Sequence, residues 1–406
     1  MAGVAFVAIL GAAGFRAASG VLITPLEEEF GWSRGTISLA VSVNLILFGL
    51  TAPLAATLMD RFGIRQVVAT ALLLIAAGSG LAVVMTASWQ LVLLWGVLVG
   101  LGTGSMALVF VATIAGRWFV KRRGVVTGVL TAAGATGQLI FLPVLAAIAT
   151  GVGWRAASLT VAGAALAVVP LVLWFIRDYP ADVGLPPYGE REIVPPPPRT
   201  GGAARRALAV LRTASRTGTF WLLVGGFAIC GASTNGLVAT HLIPAGHDHG
   251  MPETTAANLL AVIGVFDIAG TIVSGWLTDR FDSRALLGAY YALRGLSLLI
   301  LPSLIAATVH PSMIVFIIFY GLDWVATVPP TIALCRQHFG ADGPVVFGWV
   351  FAAHQIGAAI AATGAGLIRD FTGDYNPAWI TSGLLCFFAA VMSVRIGRTQ
   401  PAATVS

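Results

Sequence analysis

The sequence predicts an all-α integral membrane protein, with twelve transmembrane helices arranged as two pseudo-symmetric six-helix halves. Composition is the first reason: 57% of the 406 residues are apolar and 10% are charged. Mean hydropathy is +0.90, and so little charge cannot cover a water-facing surface of this size. Apolar runs are the second reason, because each is about twenty residues long, enough to cross roughly 30 Å of hydrocarbon as a helix. An internal repeat is the third. Asp60-Arg61-Phe62-Gly63-Ile64-Arg65 returns in altered form, half a chain further on, as Asp279-Arg280-Phe281-Asp282-Ser283-Arg284. Arg117-Trp118-Phe119 likewise returns as Arg336-Gln337-His338-Phe339, and Gly124, Gly128 and Gly137 return as Gly343, Gly348 and Gly357. A membrane protein made of two copies of one unit usually has a site where the copies meet.

The twelve runs fall near 3–24, 36–58, 66–86, 91–115, 125–149, 156–176, 219–240, 256–277, 285–304, 312–333, 345–368 and 376–396. Residues 1–177 form the N-terminal half and 219–406 the C-terminal half. Between them, 178–218 carries Pro186-Pro187, the run Pro195 to Pro198, and Arg205-Arg206. Proline runs exclude helix and favour an extended spacer, and the basic end suits anionic headgroups. Gly96, Gly100 and Gly104 share one face of the fourth run, and Gly124, Gly128, Gly134 and Gly137 thread the fifth. Such spacing lets helices approach closely in lipid.

Charge orients the chain. With a cytoplasmic amino terminus, the loops on that side hold every basic residue outside the membrane except Arg34, Arg155 and Arg369. The bias places both termini in the cytoplasm of a cell whose inner (plasma) membrane the chain crosses many times. The net charge of +6 follows from it, so no nucleic-acid partner is expected. The first apolar run lacks a basic leader and contains Arg16, so no cleavable signal peptide is expected. Cys230, Cys335 and Cys386 show no metal-ligand spacing and read as apolar packers. His241, His247, Asp248 and His249 read as solvated residues of an outer loop, and neither metal nor cofactor is expected.

The repeated loop resembles the helix 2–3 signature of the major facilitator superfamily. Ala56 stands where that signature begins with glycine, and Gly275 keeps the glycine in the second copy. Trp118-Phe119-Val120-Lys121-Arg122-Arg123-Gly124, continued through Gly128 and Gly137, resembles the helix 4–5 signature of the monocarboxylate porters. Phe30-Gly31-Trp32-Ser33-Arg34 and Gly153-Trp154-Arg155 resemble bacterial members of that group and of the related oxalate–formate antiporters. The resemblance implies secondary transport and a conformational latch at Asp60, Arg61 and Arg65, with Asp279 and Arg280 in the second copy. Asp60 would accept hydrogen bonds from a neighbouring helix N-terminus.

Four charges fall inside predicted helices: Arg16, Asp267, Arg294 and Asp323. At that depth a charge is costly unless paired or hydrated, and two of each sign suggest mutual pairing. Asp267 falls on the helix-8 aspartate that the resemblance assigns to proton coupling, while Thr271 stands where the family has an arginine. Asp323 is the other candidate proton carrier. Arg16 and Arg294 are candidate clamps for a substrate carboxylate, with Arg294 equally suited to scaffolding. Asn235, His354 and Gln355 complete the candidate binding set. Pro329-Pro330 must disrupt the tenth helix.

The expected function is proton-coupled symport of a small organic anion, first of all a monocarboxylate, by a protein acting as a monomer. Proton-driven efflux of a drug or hydrophobic metabolite, and anion exchange, are the alternatives. No phosphate-binding loop and no nucleophile–base set is found, so neither ATP-driven transport nor an enzyme is expected. A membrane sensor would need a signalling domain larger than the linker.

Overall fold

The computed structural model describes residues 1–106, 108–193 and 203–397. Among these residues, eleven helices are long and apolar enough to cross a membrane, and no strand forms. The twelfth span is the helix Arg123–Gly151, of which Thr136–Gly151 is the fully described apolar part. In chain order the spans are α1 (Ala2–Val21), α2 (Arg34–Phe62), α3 (Ile64–Val84), α4 (Ser88–Trp118), α5 (Arg123–Gly151) and α6 (Trp154–Phe175). The second half contains α7 (Gly218–Asp248), α8 (Glu253–Thr278), α9 (Ser283–Ser303), α10 (Pro311–Phe339), α11 (Gly343–Thr372) and α12 (Asn376–Val394).

Every expected run is present, but several ends move. Both α2 and α10 continue past their apolar windows, so Arg61 and Arg336 sit on last helical turns rather than in loops. Hydropathy falls where a helix leaves hydrocarbon, whereas its backbone hydrogen bonds carry on into the headgroups. The expected spacer also needs correcting. It contains a helix, Ala203–Ala214, that packs against both α2 and α11. Val210 and Ala214 are buried there, and the Trp349 indole donates to the Ala207 carbonyl at 3.0 Å. The proline run at 195–198 lies outside the described residues.

The two halves meet along α2 against α11 and α5 against α8. Inside each half, glycines set the closest approaches. On α4, Gly96, Gly100 and Gly104 all face α2, as their shared face required. In the second half the contacts are reciprocal. Gly231 of α7 lies on the His354 carbonyl of α11, and Gly357 of α11 on the Ala228 carbonyl of α7. Gly270 of α8 meets the Leu322 carbonyl of α10, where an added Cβ would stand 1.9 Å from the oxygen. Gly321 answers from α10 against Ile263. Gly270→Ala must therefore push two backbones apart, with an expected loss of roughly 1–3 kcal/mol. Thermal unfolding in detergent measures it, and an unchanged melting temperature would mean that the α8–α10 contact is loose.

Candidate functional site

The densest polar group inside the helices surrounds a break in α10. Helical hydrogen bonding stops at Asp323 and resumes at Val328. Pro329 and Pro330 explain it, because neither has an N–H to return to the carbonyls four residues back, those of Val325 and Ala326. The Val328 amide turns back to Val325 O at 2.9 Å, and Ser274 of α8 donates its hydroxyl to Ala326 O at 2.5 Å. Arg294 of α9 reaches the same segment. Its Nη2 donates to the carbonyls of Asp323 at 2.6 Å and Trp324 at 3.2 Å, its Nε to Asp323 Oδ2 at 2.6 Å, and its Nη1 to Cys230 Sγ at 2.9 Å. The freed amide of Val325 donates to Asp267 Oδ1 at 3.1 Å, and Thr271 donates its hydroxyl to the same oxygen at 3.2 Å. Buried backbone groups need partners, and here buried charges supply them.

The structure thus brings together three of the four intramembrane charges. Arg294 is fully enclosed and Asp323 is 6% exposed, whereas Asp267 stays partly accessible. Among the described residues, Asp323 Oδ1 has no hydrogen-bond partner. In this conformation Arg294 has a scaffolding geometry, with its nitrogens occupied by α10 and α7. Arg16 lies in α1, and its side chain is outside the described residues.

The remaining binding candidates line the α7–α11–α2 seam. The His354 ring lies 4.8 Å from that of Phe227 and stacks at 5.8 Å on Phe351, which itself faces Phe48 of α2. Gln355 is buried against Gly49 of α2, and its Oε1 has no hydrogen-bond partner among the described residues. Asn235 lies in a widened stretch of α7, Ala232–Val238, where its carbonyl accepts from the Thr240 hydroxyl five residues on. Widened turns of this kind recur at functional sites. The seam closes further along α2, where Ser42 donates to Ala359 O at 2.6 Å.

At one end of the bundle an ionic cluster ties the halves together. Arg34, at the start of α2, is 3% exposed. It donates through Nη1 and Nη2 to both carboxylate oxygens of Asp248 on α7, at 2.8 and 2.7 Å, and through Nε to Glu27 at 2.7 Å. Tyr375 accepts from Arg34 at 3.2 Å and lies 3.1 Å from His241 Nδ1, and burial pushes its phenol up to about 12. The first amides of α2, those of Arg34 and Gly35, donate to the Asp370 carboxylate of α11 at 3.1 and 2.9 Å. One half therefore caps a helix of the other. Arg369 adds a second cation to Asp248 at 2.7 Å. Beside the cluster, Arg155 first and the Trp154 indole second hold Glu29 below the usual carboxylate range. A cavity of about 650 Å³ opens between the ends of α5 and α8, lined by Glu28, Glu29, Trp154, His247 and Glu253.

At the opposite end, the signature loop departs from expectation. Among the described residues, Asp60 caps no helix. It accepts from Arg117 of α4 at 2.5 Å, and Arg117 lies over the Tyr179 ring. The amide of Ile64, opening α3, is capped by Asp178 at 2.6 Å, and Arg65 N follows at 3.4 Å. Gly63 (φ 86°) leaves room for that carboxylate, which would stand 2.3 Å from a Cβ. Arg61 lies over Phe62. In the second copy Asp279 ends α8, Arg280 stacks on Trp276 at 4.1 Å, and Asp282 caps α9.

The sequence model of the Major Facilitator Superfamily matches residues 4–252 and again 233–405. The chain belongs to the major facilitator superfamily. Among facilitator relatives, an uncharacterized MFS-type transporter, YcxA of Bacillus subtilis (strain 168), is 26% identical over 377 residues, covering 91% of this chain and 88% of its own. Monocarboxylate transporter 13 of Rattus norvegicus is 25% identical, covering 90% and 80%. Monocarboxylate transporter 11 of Homo sapiens is 26% identical, covering 94% and 79%. A D-xylose–proton symporter superposes with a TM-score of 0.72 at 15% identity, covering 97% of both chains. The xylose transporter XylE from E. coli, partially occluded and inward open, gives 0.70 at 16%, covering 98% of this chain and 99% of its own. Both structures share the twelve-helix facilitator fold.

In this facilitator His247 and His249 are exposed, as expected, but His241 and Asp248 are not solvated loop residues. His241 is fully buried, with Nε2 2.8 Å from Ala362 O, and Asp248 is spent on Arg34. Among the described residues, no three His, Cys, Asp or Glu side chains are grouped to hold a metal ion. Arg34, Tyr375 and Asp370 were missed as site residues. The available signal was Arg34's place among the few arginines on the arginine-poor side.

Proposed function

We propose that this facilitator carries a small organic anion, first of all a monocarboxylate, by proton symport through alternating access. The observation that carries the proposal is the cluster in the second half, where two carboxylates, Asp267 and Asp323, lie near one cation, Arg294, which pairs with Asp323. Such a group holds one charge in excess and takes up one proton to become neutral. Similarity to monocarboxylate transporters over about nine-tenths of the chain supports the substrate class. Arg16 is the substrate's counter-charge in this proposal, with Asn235, His354 and Gln355 as neutral partners and Arg294 freed only if α10 moves. Asp60, Arg61 and Arg65, with Asp279 and Arg280, latch the arginine-rich, cytoplasmic end in the outward-facing state. The conformation described here, joined at the Arg34 end, is then the inward-facing one. The protein acts as a monomer in the inner membrane with both termini cytoplasmic.

One observation favours a second reading. Phe227 and Phe351 pack on His354, with Phe347 against Phe227 and Phe48 against Phe351, and such a surface suits a hydrophobic solute leaving the cell. Purified protein in proteoliposomes separates the two. An imposed gradient, acid on the entry side, should accumulate a labelled monocarboxylate severalfold, and a protonophore should abolish it. Proton-driven movement of hydrophobic amines, with no carboxylate moved, would overturn the anion proposal.

A further inference from the structure

We infer that Asp267 is a positioning residue for α10: its protonation releases the helix break, and so transmits proton uptake to the backbone of the moving half. The inference rests on the proton-coupled reading, in which Asp267 holds the helix-8 position that the resemblance assigns to proton coupling, and what it adds is the link from that carboxylate to the break in α10.

Charge balance makes the first argument. Asp323 accepts from the guanidinium of Arg294 at 2.6 Å, and both are buried. A proton on Asp323 would strand Arg294 as an uncompensated buried cation, the costly way to break such a pair. Asp267 has two hydrogen-bond partners, the Val325 amide and the Thr271 hydroxyl, and both are neutral. A proton there strands no charge. It also brings the group of Arg294, Asp323 and Asp267 to zero net charge. Access agrees, since Asp267 is the one of the three that is partly exposed.

Geometry makes the second. The Val325 N–H has left the helical ladder because Gly321 O accepts from Trp324 N at 3.1 Å instead, and the Asp267 carboxylate is its acceptor. A carboxylate is a far stronger acceptor than a carboxylic acid. Once Asp267 is protonated, a buried amide is left poorly paired at the weakest point of α10, and the segment must rearrange to find another acceptor. Movement there cannot stay local. Gly270 lies on the Leu322 carbonyl and Gly321 on Ile263, so α8 and α10 touch backbone to backbone on either side of Asp267. Thr271 takes on a role in this scheme: one turn beyond Asp267, its hydroxyl orients the carboxylate toward Val325. The other titratable groups around the cluster are Tyr290 and Tyr291 on α9, Tyr320 on α10, Cys230 on α7 and Cys386 on α12. None of them hydrogen-bonds Asp267.

Hydrogen exchange of the full chain in lipid nanodiscs, read on peptides containing Val325 and corrected for intrinsic exchange, tests the inference without any substrate. Between about pH 8 and pH 5 the wild type should lose roughly tenfold in protection there, as the charge-assisted bond is lost. Asp267→Asn keeps an amide oxygen for Val325 N–H but does not titrate, so its protection should be equal at both ends of the range. Asp267→Glu keeps a titrating group but displaces it, and should be poorly protected throughout. A pH-independent wild type, an Asp267→Asn protein that still loses protection in acid, or an Asp267→Glu protein identical to wild type would each overturn the inference. Transport is read separately. Proton-driven uptake with a pH-insensitive break overturns this inference alone, and a pH-sensitive break without carboxylate transport overturns the proposed function alone.

Discussion

Arg294→Met is expected to destabilise the folded protein by about 3–5 kcal/mol, because it leaves the Asp323 carboxylate buried without a counter-charge. Asp323 is 6% exposed; among the described residues one of its oxygens already has no partner, and the other loses the Arg294 Nε donor. The double variant Arg294→Met/Asp323→Leu removes both charges and should recover most of that loss. It should not recover all of it. Arg294 also donates to the carbonyls of Asp323 and Trp324, and orphaning such groups costs on the order of 1–3 kcal/mol. Thermal or denaturant unfolding in one detergent measures the three proteins together. Equal stability of single and double variants would show that the pair carries no buried charge, and would remove the electrostatic basis for assigning the proton to Asp267.

The second large effect is conformational. Arg34–Asp248 is the ion pair that joins the two halves among the described residues. Arg34→Gln removes a cation shared by Asp248, Glu27 and Tyr375, so that Glu27 loses its arginine and Asp248 keeps Arg369 alone. Truncating one partner of a buried, hydrogen-bonded charge pair costs roughly 2–5 kcal/mol, and each 1.4 kcal/mol is about tenfold in a population ratio. The variant should therefore move most molecules to a state parted at that end. Spin labels at Thr36→Cys and Thr372→Cys would report it as a longer inter-label distance. Native cysteines do not interfere, since Cys230, Cys335 and Cys386 are buried. An unchanged distance distribution would mean that the α2–α11 packing closes this end without help from Arg34.

Much of the fold was legible because hydrocarbon imposes it: twenty apolar residues in lipid have few options besides helix. The glycine face of α4 and the disruption of α10 by Pro329 and Pro330 were legible for similar local reasons. Side-chain partnership was not. Asp60 and Asp178 are both carboxylates beside α3, and only the path of the chain after α6 decides that Asp178 reaches the Ile64 amide. Arg294 read equally as clamp or scaffold, because sequence cannot tell whether its nitrogens face a cavity or a break in a neighbouring helix. His241 looked like a loop residue since α7 continues beyond its apolar stretch and folds it under Tyr375. The helix Ala203–Ala214 was hidden by the prolines that precede it.

The capping of α2 by Asp370 has a consequence for solvent. Whenever the halves part at the Arg34 end, the amides of Arg34 and Gly35 lose their acceptor, and nothing in the first turn of α2 replaces it except water. The guanidinium of Arg34 and the carboxylates of Asp248 and Asp370 must hydrate in the same step. Opening is thus an uptake of water as much as a rotation of helices. Osmolytes excluded from protein surfaces should hold the end shut, so the osmotic state of the compartment it faces becomes a variable in transport, alongside the solute.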